Sequence, residues 1–302
     1  MKKIIFRFFI FTILLIFGFI TYLSTFGIKT DAFNEQISKE FKKIDNQLEL
    51  DLDKISIILD PFKFKLVLKT VGANLKNRNK LIKLESIKSN IDIKTFINKK
   101  FSLSELDITT RTIEIKNLIS FIRSIKDRPQ IYILEKFVKK GYLIADINLK
   151  FDQKGNIKDD FIIKGFVKDG EVKTLKKINL SKINLIFNLQ NNKFEFKDIN
   201  LSYDNNELTF PELNIKKQKN KFLVSGKNNS KNLVLDNKKI NQLLNIDFSN
   251  LKIKSAEFDL SNTFSFKIDN KYKIDNFKID SLMNLKYSKV VSSKNSNEMG
   301  FS

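Results

Sequence analysis

Apolar and polar residues alternate along most of this chain, and this period of two limits the folds open to it. Leucines alternate with acidic residues in Leu48–Asp53, and apolar residues alternate with lysines in Phe62–Lys69, after a break at Pro61. The same period returns in Ile183–Leu189 and in Phe264–Ile268. Because successive side chains of a strand point to opposite faces, the pattern predicts strands with one apolar and one solvated face.

Turn-forming residues separate these strands at intervals of about 8–12 residues, which is typical of hairpins. We therefore expect roughly a dozen strands or more, joined in meander order into an antiparallel sheet. After Gly141, turns are predicted at 153–156, 168–170, 191–192 and 204–206, and a short helical break at Lys238–Leu244.

Two segments have a helical period instead. Apolar residues recur at three- and four-residue spacing from Phe33 to Ile44, which predicts a short amphipathic helix. Such a helix could cover a sheet edge or lie at the mouth of a lipid groove or on a membrane surface. The segment Asn117–Lys126 has a similar stripe, and a further helix is predicted from Pro129 to a left-handed cap at Gly141.

The N-terminus contains an apolar run long enough to cross a bilayer. No charged residue occurs in Phe8–Ile28, whereas Lys2, Lys3 and Arg7 precede it. The excess of positive charge predicts a cytoplasmic N-terminus and a body on the other side of the membrane. A cleaved signal peptide is the alternative, but the run exceeds a typical signal core of about 7–15 residues, so a retained anchor is favoured.

The composition argues against catalysis and against nucleic-acid binding. The chain has no His and no Cys, which removes the commonest general base, metal ligand and thiol nucleophile. We predict a protein that is not an enzyme, with no catalytic residue, metal or cofactor. The net charge of +21 comes almost entirely from lysine, with only five arginines, which indicates an AT-rich genome and no nucleic-acid partner.

The period does not say what covers the apolar face of the sheet. A sandwich or barrel would cover it with more sheet, and helices could cover a part of it. A third solution is a long sheet curled into a trough whose inner face holds lipid chains. The residues alone leave these three solutions open.

Several segments resemble the AsmA-like proteins, the group that includes AsmA, TamB and YhdP. After the membrane helix and the amphipathic helix come LELDLDKISIILDPFKFKLVLKTVGANL, KLIKLESIKSNIDIKTFI and FSLSELDITTRTIEI, which look like the start of that family. The later stretch GYLIADINLKFDQKGNIKDDFIIKGFVKDGEV is similar to another segment of the group, with Gly141, Gly155, Gly165 and Gly170 at its strand starts and turns. Members are usually longer, so we expect a fragment or a short member.

The resemblance implies a mostly β protein: an N-terminal transmembrane helix, then an elongated antiparallel sheet curled into a groove, with a few short helices. It implies an anchor in the inner membrane, a periplasmic body, and passive carriage of phospholipid along the groove for envelope lipid homeostasis. A scaffold for outer-membrane proteins that acts by strand addition is the alternative, and an oligomeric partner would extend a path too short to bridge the envelope. A closed β-sandwich of unknown binding role is the third reading.

These expectations give a division of the chain and a set of lipid-groove candidates. The predicted segments are a cytoplasmic stub and anchor at 1–29, the amphipathic helix at 30–46, β segments at 47–116 and 142–290 around a helical insertion at 117–141, and a polar tail at 291–302. The groove candidates are the apolar residues of the alternating faces: Leu50, Leu52, Ile57, Phe62, Phe64, Leu66, Leu68, Ile91, Ile93, Leu106, Ile108, Ile147, Leu149, Phe151, Leu185, Phe187, Phe264 and Phe266.

Overall fold

A computed structural model of the chain describes residues 2–31, 34–42, 45–92, 103–152, 158–174, 178–236, 251–269, 271, 273–292 and 298–301. The described residues form an N-terminal apolar helix, three shorter helices and seventeen strands, which pair antiparallel. The sheet is not closed. The predicted fold class, mostly β with few helices, is therefore confirmed.

Helix α1 spans Lys2–Thr25 and is long and apolar enough to cross a membrane. Its 24 residues give a length of about 36 Å, which exceeds the roughly 30 Å of a bilayer core. Its side chains are not buried against the rest of the protein. Gly27, with a φ of 65°, then turns the chain into strand β1, Ile28–Thr30, where the sequence predicted the end of the anchor.

Contacts divide the chain into two units, the first formed by 1–135 and 143–164. In this unit β1 pairs with β3, and the antiparallel order continues from β3 through β4 and β6 to β7 and β9. The shorter β2 and β5 pair beside the start of β6. The bounds are Leu48–Asp51 for β2, Ile55–Asp60 for β3, Lys65–Val71 for β4, Asn74–Asn77 for β5, Lys80–Asp92 for β6, Leu103–Thr110 for β7, Ile113–Glu114 for β8 and Val138–Lys150 for β9.

Two amphipathic helices close the core of the first unit. Helix α2, Asn34–Lys42, contributes Ile37 and Phe41, and helix α3, Ile115–Ile125, contributes Phe121. They pack on the apolar face of the strands, whose buried residues are Leu48, Leu50, Ile55, Leu68, Ile82, Leu84, Ile87, Ile91 and Leu106. Helix α4, Pro129–Phe137, follows α3.

The second unit, 136–142 and 165–302, is a meander of long strands. Each strand from β11 to β16 pairs with the next one along the chain. The bounds are Ile162–Lys173 for β10, Asn179–Gln190 for β11, Lys193–Tyr203 for β12, Asn206–Gln218 for β13, Lys221–Leu235 for β14, Leu251–Asp269 for β15, Ile274–Ser292 for β16 and Glu298–Phe301 for β17. The turn predicted at 191–192 is confirmed, whereas the one predicted at 204–206 is confined to 204–205, because Asn206 begins β13.

Several predictions of local structure are wrong. Gly141 lies inside β9 and does not cap a helix, since α4 ends at Phe137. The segment 168–170 lies within β10, where Asp169 has a φ of 53° and its amide donates a hydrogen bond of 3.1 Å to the side chain of Asn184. In the predicted polar tail, β17 pairs with the end of β16.

Phe62 and Phe64 are not strand residues, although their alternation with lysines predicted a strand. They lie in the turn 61–64 between β3 and β4, and both side chains are exposed. The predicted turn at 153–156, the helical break at Lys238–Leu244 and the groove candidate Ile93 lie outside the described residues.

A polar cluster on the outer face of the first unit should make its stability pH-dependent. Glu105 accepts hydrogen bonds of 2.8 Å from the amides of Asn148 and Asn90, and the bond from Asn148 is the main cause that lowers the pKa of this carboxyl from its ordinary value of 4.5. A lowered pKa stabilises the folded state above the unfolded-state pKa, and this stabilisation is lost as the pH falls through the folded-state pKa.

We expect Glu105→Gln to lower the melting temperature at pH 7 by a few degrees, because the charged acceptor is lost. The difference from the parent protein should shrink as the pH falls below 4.5, because the carboxyl takes up a proton there in the unfolded state and at a lower pH in the folded state. Thermal melts followed by circular dichroism at pH 7 and pH 3.5 measure both values. Glu49→Gln, on the exposed side of β2, is the control and should change neither. A difference that is the same at both pH values would contradict the assignment.

Candidate functional site

The sheet of the second unit carries a continuous apolar row across six strands. Consecutive cross-strand partners from β11 to β16 form this row, and partners point to the same face of a sheet. The partners are Phe187, Phe196, Leu213, Gly226, Phe264 and Ile279. Six strands at about 4.8 Å spacing make the row about 24 Å long. We call the face that bears this row the apolar face.

A second row runs beside the first on the apolar face. Its members are Leu189, Phe194, Ile215, Val224 and Phe266, again consecutive partners. The Phe266 ring stacks on Phe264, with 6.3 Å between centroids, and lies 6.2 Å from the Phe277 ring of β16. Aromatic contacts of this geometry connect the two rows at the β15–β16 end.

Gly226 lets the first row pack closely at its centre. A Cβ atom at this position would lie 2.8 Å from Cζ of Phe264, 3.0 Å from the carbonyl oxygen of Glu212 and 3.2 Å from Cδ1 of Leu213. The Phe264 ring therefore covers the glycine, and Leu213 and Phe264 form one continuous apolar surface over it.

Exposure in the row is greatest at the β16 end. Phe187 at one end is only 7% exposed, whereas Ile279 at the other end is 51% exposed. Phe277, Met283 and Leu285 of β16 are also exposed. Of the described residues of this unit, only the last two of α4 are helical, so the unit has no described helix of its own to cover the apolar face.

The opposite face of the same strands is charged. Lys197, Glu212 and Lys227 are consecutive partners across β12, β13 and β14, and Nζ of Lys227 lies 2.8 Å from Oε1 of Glu212. The hydrogen bond from Lys227 lowers the pKa of the Glu212 carboxyl, and the same bond raises the pKa of Lys227. The charges on this face are thus retained near neutral pH, and the sheet is amphipathic.

Buried polar side chains join β13 to β14 beyond their regular ladder. The Asn206 side chain accepts a hydrogen bond of 2.6 Å from the Val234 amide and donates one of 3.0 Å to its carbonyl. Oγ of Ser230 accepts a bond of 3.1 Å from the Thr209 amide, and Asn228 donates to Ser230 at 2.9 Å. These residues were not predicted from the sequence, because Asn206 is typical of a turn and its partner strand is known only from the structure.

The groove candidates fall into distinct environments. Phe187, Phe264 and Phe266 lie on the apolar face, and Leu185 lies at an irregularity of β11. The rows also use β12, β13 and β16 residues absent from the predicted set, although Phe194 and Phe196 alternate visibly in the sequence. Their common face is defined only by the strand register.

The candidates of the first unit fill or flank its core. Leu50, Leu68, Ile91 and Leu106 are buried beneath α2 and α3, and Leu52, Ile57, Leu66, Ile108, Leu149 and Phe151 pack against them. Ile147 of β9 is half-buried and pairs with Ile108 of β7. A cavity under α2 measures about 20 Å³, which holds about one water molecule and no acyl chain.

Comparison of the chain with protein-family models, curated proteins and solved structures finds no match. The resemblance to AsmA-like proteins accordingly stays a prediction. The described residues contain no group of three or more acidic side chains that could hold a metal ion. The apolar face and the membrane-length helix are thus the features from which a function can be inferred.

The packing at Gly226 predicts a measurable loss of stability on adding one methyl group. Gly226→Ala should lower the free energy of unfolding by about 1–3 kcal/mol, because the Glu212 carbonyl cannot move away as a flexible side chain could. Urea denaturation of the full chain in detergent micelles measures the change. Ser225→Ala, one residue earlier and on the other face, is the matched control and should be near neutral. Equal stability of the Gly226→Ala variant and the parent would show that the row is loosely packed there.

Proposed function

We propose that this protein is a membrane-anchored, non-enzymatic lipid carrier whose apolar face binds the acyl chains of phospholipids. The observation that carries the proposal is the apolar row from Phe187 to Ile279, which crosses six strands and is most exposed at the β16 end. Its length of about 24 Å exceeds the roughly 15 Å depth of one leaflet's hydrocarbon, so an extended acyl chain can lie along it.

The mechanism is passive. Acyl chains lie on the apolar face while headgroups stay in water, and burial of each CH₂ group stabilises the complex by about 0.8 kcal/mol. The absence of His and Cys from the sequence fits a function that needs no nucleophile or general base. The chain's own residues supply only a continuous apolar surface, with Phe264 covering Gly226 at its centre.

The membrane is part of the proposal. Helix α1 is long and apolar enough to anchor the chain, and Lys2, Lys3 and Arg7 on its short side favour a cytoplasmic N-terminus. We place the anchor in an inner membrane and the two units in the periplasm, in line with the AsmA-like resemblance. Further copies or another protein would then be needed to extend the lipid path across an envelope.

The unpaired edge of β16 favours a second candidate, strand addition to outer-membrane clients. Within the described residues, β17 pairs with β16 only at Ser288–Val291, so Ile274–Tyr287 has a strand partner on the β15 side alone. Main-chain groups along such an edge can pair with an added strand. This candidate uses main-chain hydrogen bonds and does not depend on which side chains occupy the apolar face.

Two exposed residues of β16 separate the lipid carrier from the strand-addition scaffold. Ile279 pairs with Phe264 on the apolar face, whereas Leu282 pairs with Ser261 on the opposite face, and both are more than half exposed. We expect Ile279→Asp to reduce cross-linking of β11–β16 to a photoactivatable phospholipid in bilayers, because the charge interrupts the apolar row. The sites of cross-linking are mapped by mass spectrometry of the full chain.

Leu282→Asp is the matched control and should cross-link like the parent. Both variants should melt like the parent, since each carboxylate reaches solvent. Equal loss in both variants, or no cross-link to β11–β16 in the parent, contradicts the lipid proposal. A parent that captures unfolded β-hairpin peptides and keeps doing so after Ile279→Asp would favour strand addition.

The orientation is tested separately. A reporter enzyme that is active only after export, fused at Ser302, should be active in the full chain, because Lys2, Lys3 and Arg7 hold the N-terminus in the cytoplasm. Replacing these three residues by Glu should lower the exported activity. A full-length fusion with no exported activity would refute this orientation and leave the lipid-binding test unaffected.

A further inference from the structure

The turn between β3 and β4 exposes two aromatic rings at its tip. Phe62 is 96% exposed and Phe64 is 74% exposed, with the exposed Lys63 between them. Two exposed phenylalanines at one tip are unfavourable in water, because neither ring gains the free energy of removing its apolar surface from solvent. Neither ring belongs to the buried core of the first unit.

The tip is held in a defined conformation. Oδ1 of Asp60 accepts hydrogen bonds from the amides of Phe62, at 3.1 Å, and of Lys63, at 3.0 Å. Phe64 has a φ of 51°, a backbone conformation that bulky side chains rarely adopt. A turn fixed by a capping carboxylate keeps its rings pointed outward, where a loose loop would let them fold back.

The strand register places this tip on the side of the first unit from which α1 extends. Ile28 of β1 is opposite Ile57 of β3, and the pairing is antiparallel. Chain positions before Ile28, toward α1, therefore lie at the level of positions after Ile57, toward Asp60 and the turn. Helix α1 contacts β3, and a Cβ atom on Gly27 would lie 2.5 Å from the Ile57 carbonyl oxygen, so the two chains stay adjacent up to the helix end.

We propose that the β3–β4 turn is a second membrane contact, with Phe62 and Phe64 inserted into the interface of the bilayer that α1 spans. Asp60 lies three residues, about 10 Å, beyond Ile57 on the side toward α1, and helix α1 itself contacts β3. The tip therefore extends to the side of the first unit from which α1 enters the bilayer. Aromatic rings are favoured at the membrane–water interface, and Lys63 can reach lipid phosphates there.

This contact goes beyond the proposed lipid carriage and does not depend on it. Helix α1 and β1 are joined by only Phe26 and Gly27, and a single helix leaves the first unit free to rotate about that joint. A second contact at the turn would fix the direction of β3 and β4 against the bilayer surface. A peptide or protein partner for the two rings is the competing occupant, and it would be absent from a bilayer that contains this chain alone.

The lack of tryptophan in the sequence provides a direct test. Phe62→Trp and Phe64→Trp each introduce one fluorophore into the full chain, reconstituted alone in bilayers whose acyl chains carry bromine near the headgroup. We expect both to show blue-shifted emission and loss of fluorescence relative to unbrominated bilayers. Phe17→Trp, within α1, is the inserted reference. Asn79→Trp is the aqueous reference. Asn79 lies in the β5–β6 turn, and β6 separates this turn by about 40 Å from Asp92, which pairs with Lys65 beside the β3–β4 turn.

Quenching of both turn variants with an unquenched Asn79→Trp supports the second membrane contact. An unquenched turn with a quenched Phe17→Trp overturns it and favours a protein occupant. Loss of quenching in Phe17→Trp as well overturns it together with the anchor itself. Thermal melts should match the parent in every variant, since these positions are exposed, and a turn variant that melts early is replaced by Lys63→Trp at the same tip.

Discussion

Cross-strand register is the constraint on which the rest of this structure depends. A strand presents alternate side chains to opposite faces, so a slip of one residue between two strands would move every apolar side chain to the charged face. The row from Phe187 to Ile279 exists because five successive pairings, β11 to β16, keep their parity. The charged set of Lys197, Glu212 and Lys227 on the other face follows from the same registers.

The period of two was sufficient to predict the class of fold, because the alternation of apolar and polar residues within each strand is visible without knowledge of its neighbours. The turn at 191–192 and most of the turn at 204–206 were also predictable, since Asn and Asp favour the backbone angles of tight turns. The same reasoning failed at 168–170, which stays within β10, where the Asp169 amide bonds to Asn184 of the next strand. It failed at Phe62 and Phe64, where the Asp60 carboxylate stabilises a turn. In both places the side chain that decides the structure, Asn184 or Asp60, is present in the sequence, but the period of two does not show the hydrogen bond that it makes.

The candidate site was less predictable than the fold, because covering a face is a tertiary event. Leu68 and Phe187 have the same alternation, yet α2 and α3 close over the first, and the second lies on a face without a described helix. Bulges add a further difficulty. Asp198 and Asn276 adopt positive φ inside strands, which shifts the register without any glycine to mark the position. The six-strand row could therefore be named only once the partners were known.

The exposed surface of β16 links the proposed lipid binding to the membrane location. A long unpaired edge with apolar side chains on both faces, such as Ile279 and Leu282, promotes aggregation in a freely diffusing protein. Lys278 and Asp280 oppose it by placing charge between the apolar residues. Two further conditions would reduce the hazard: a bound acyl chain covers the apolar face, and an anchored chain meets other copies only in the plane of one membrane. The apolar surface proposed to bind lipid would thus be protected from aggregation by that lipid and by the anchor.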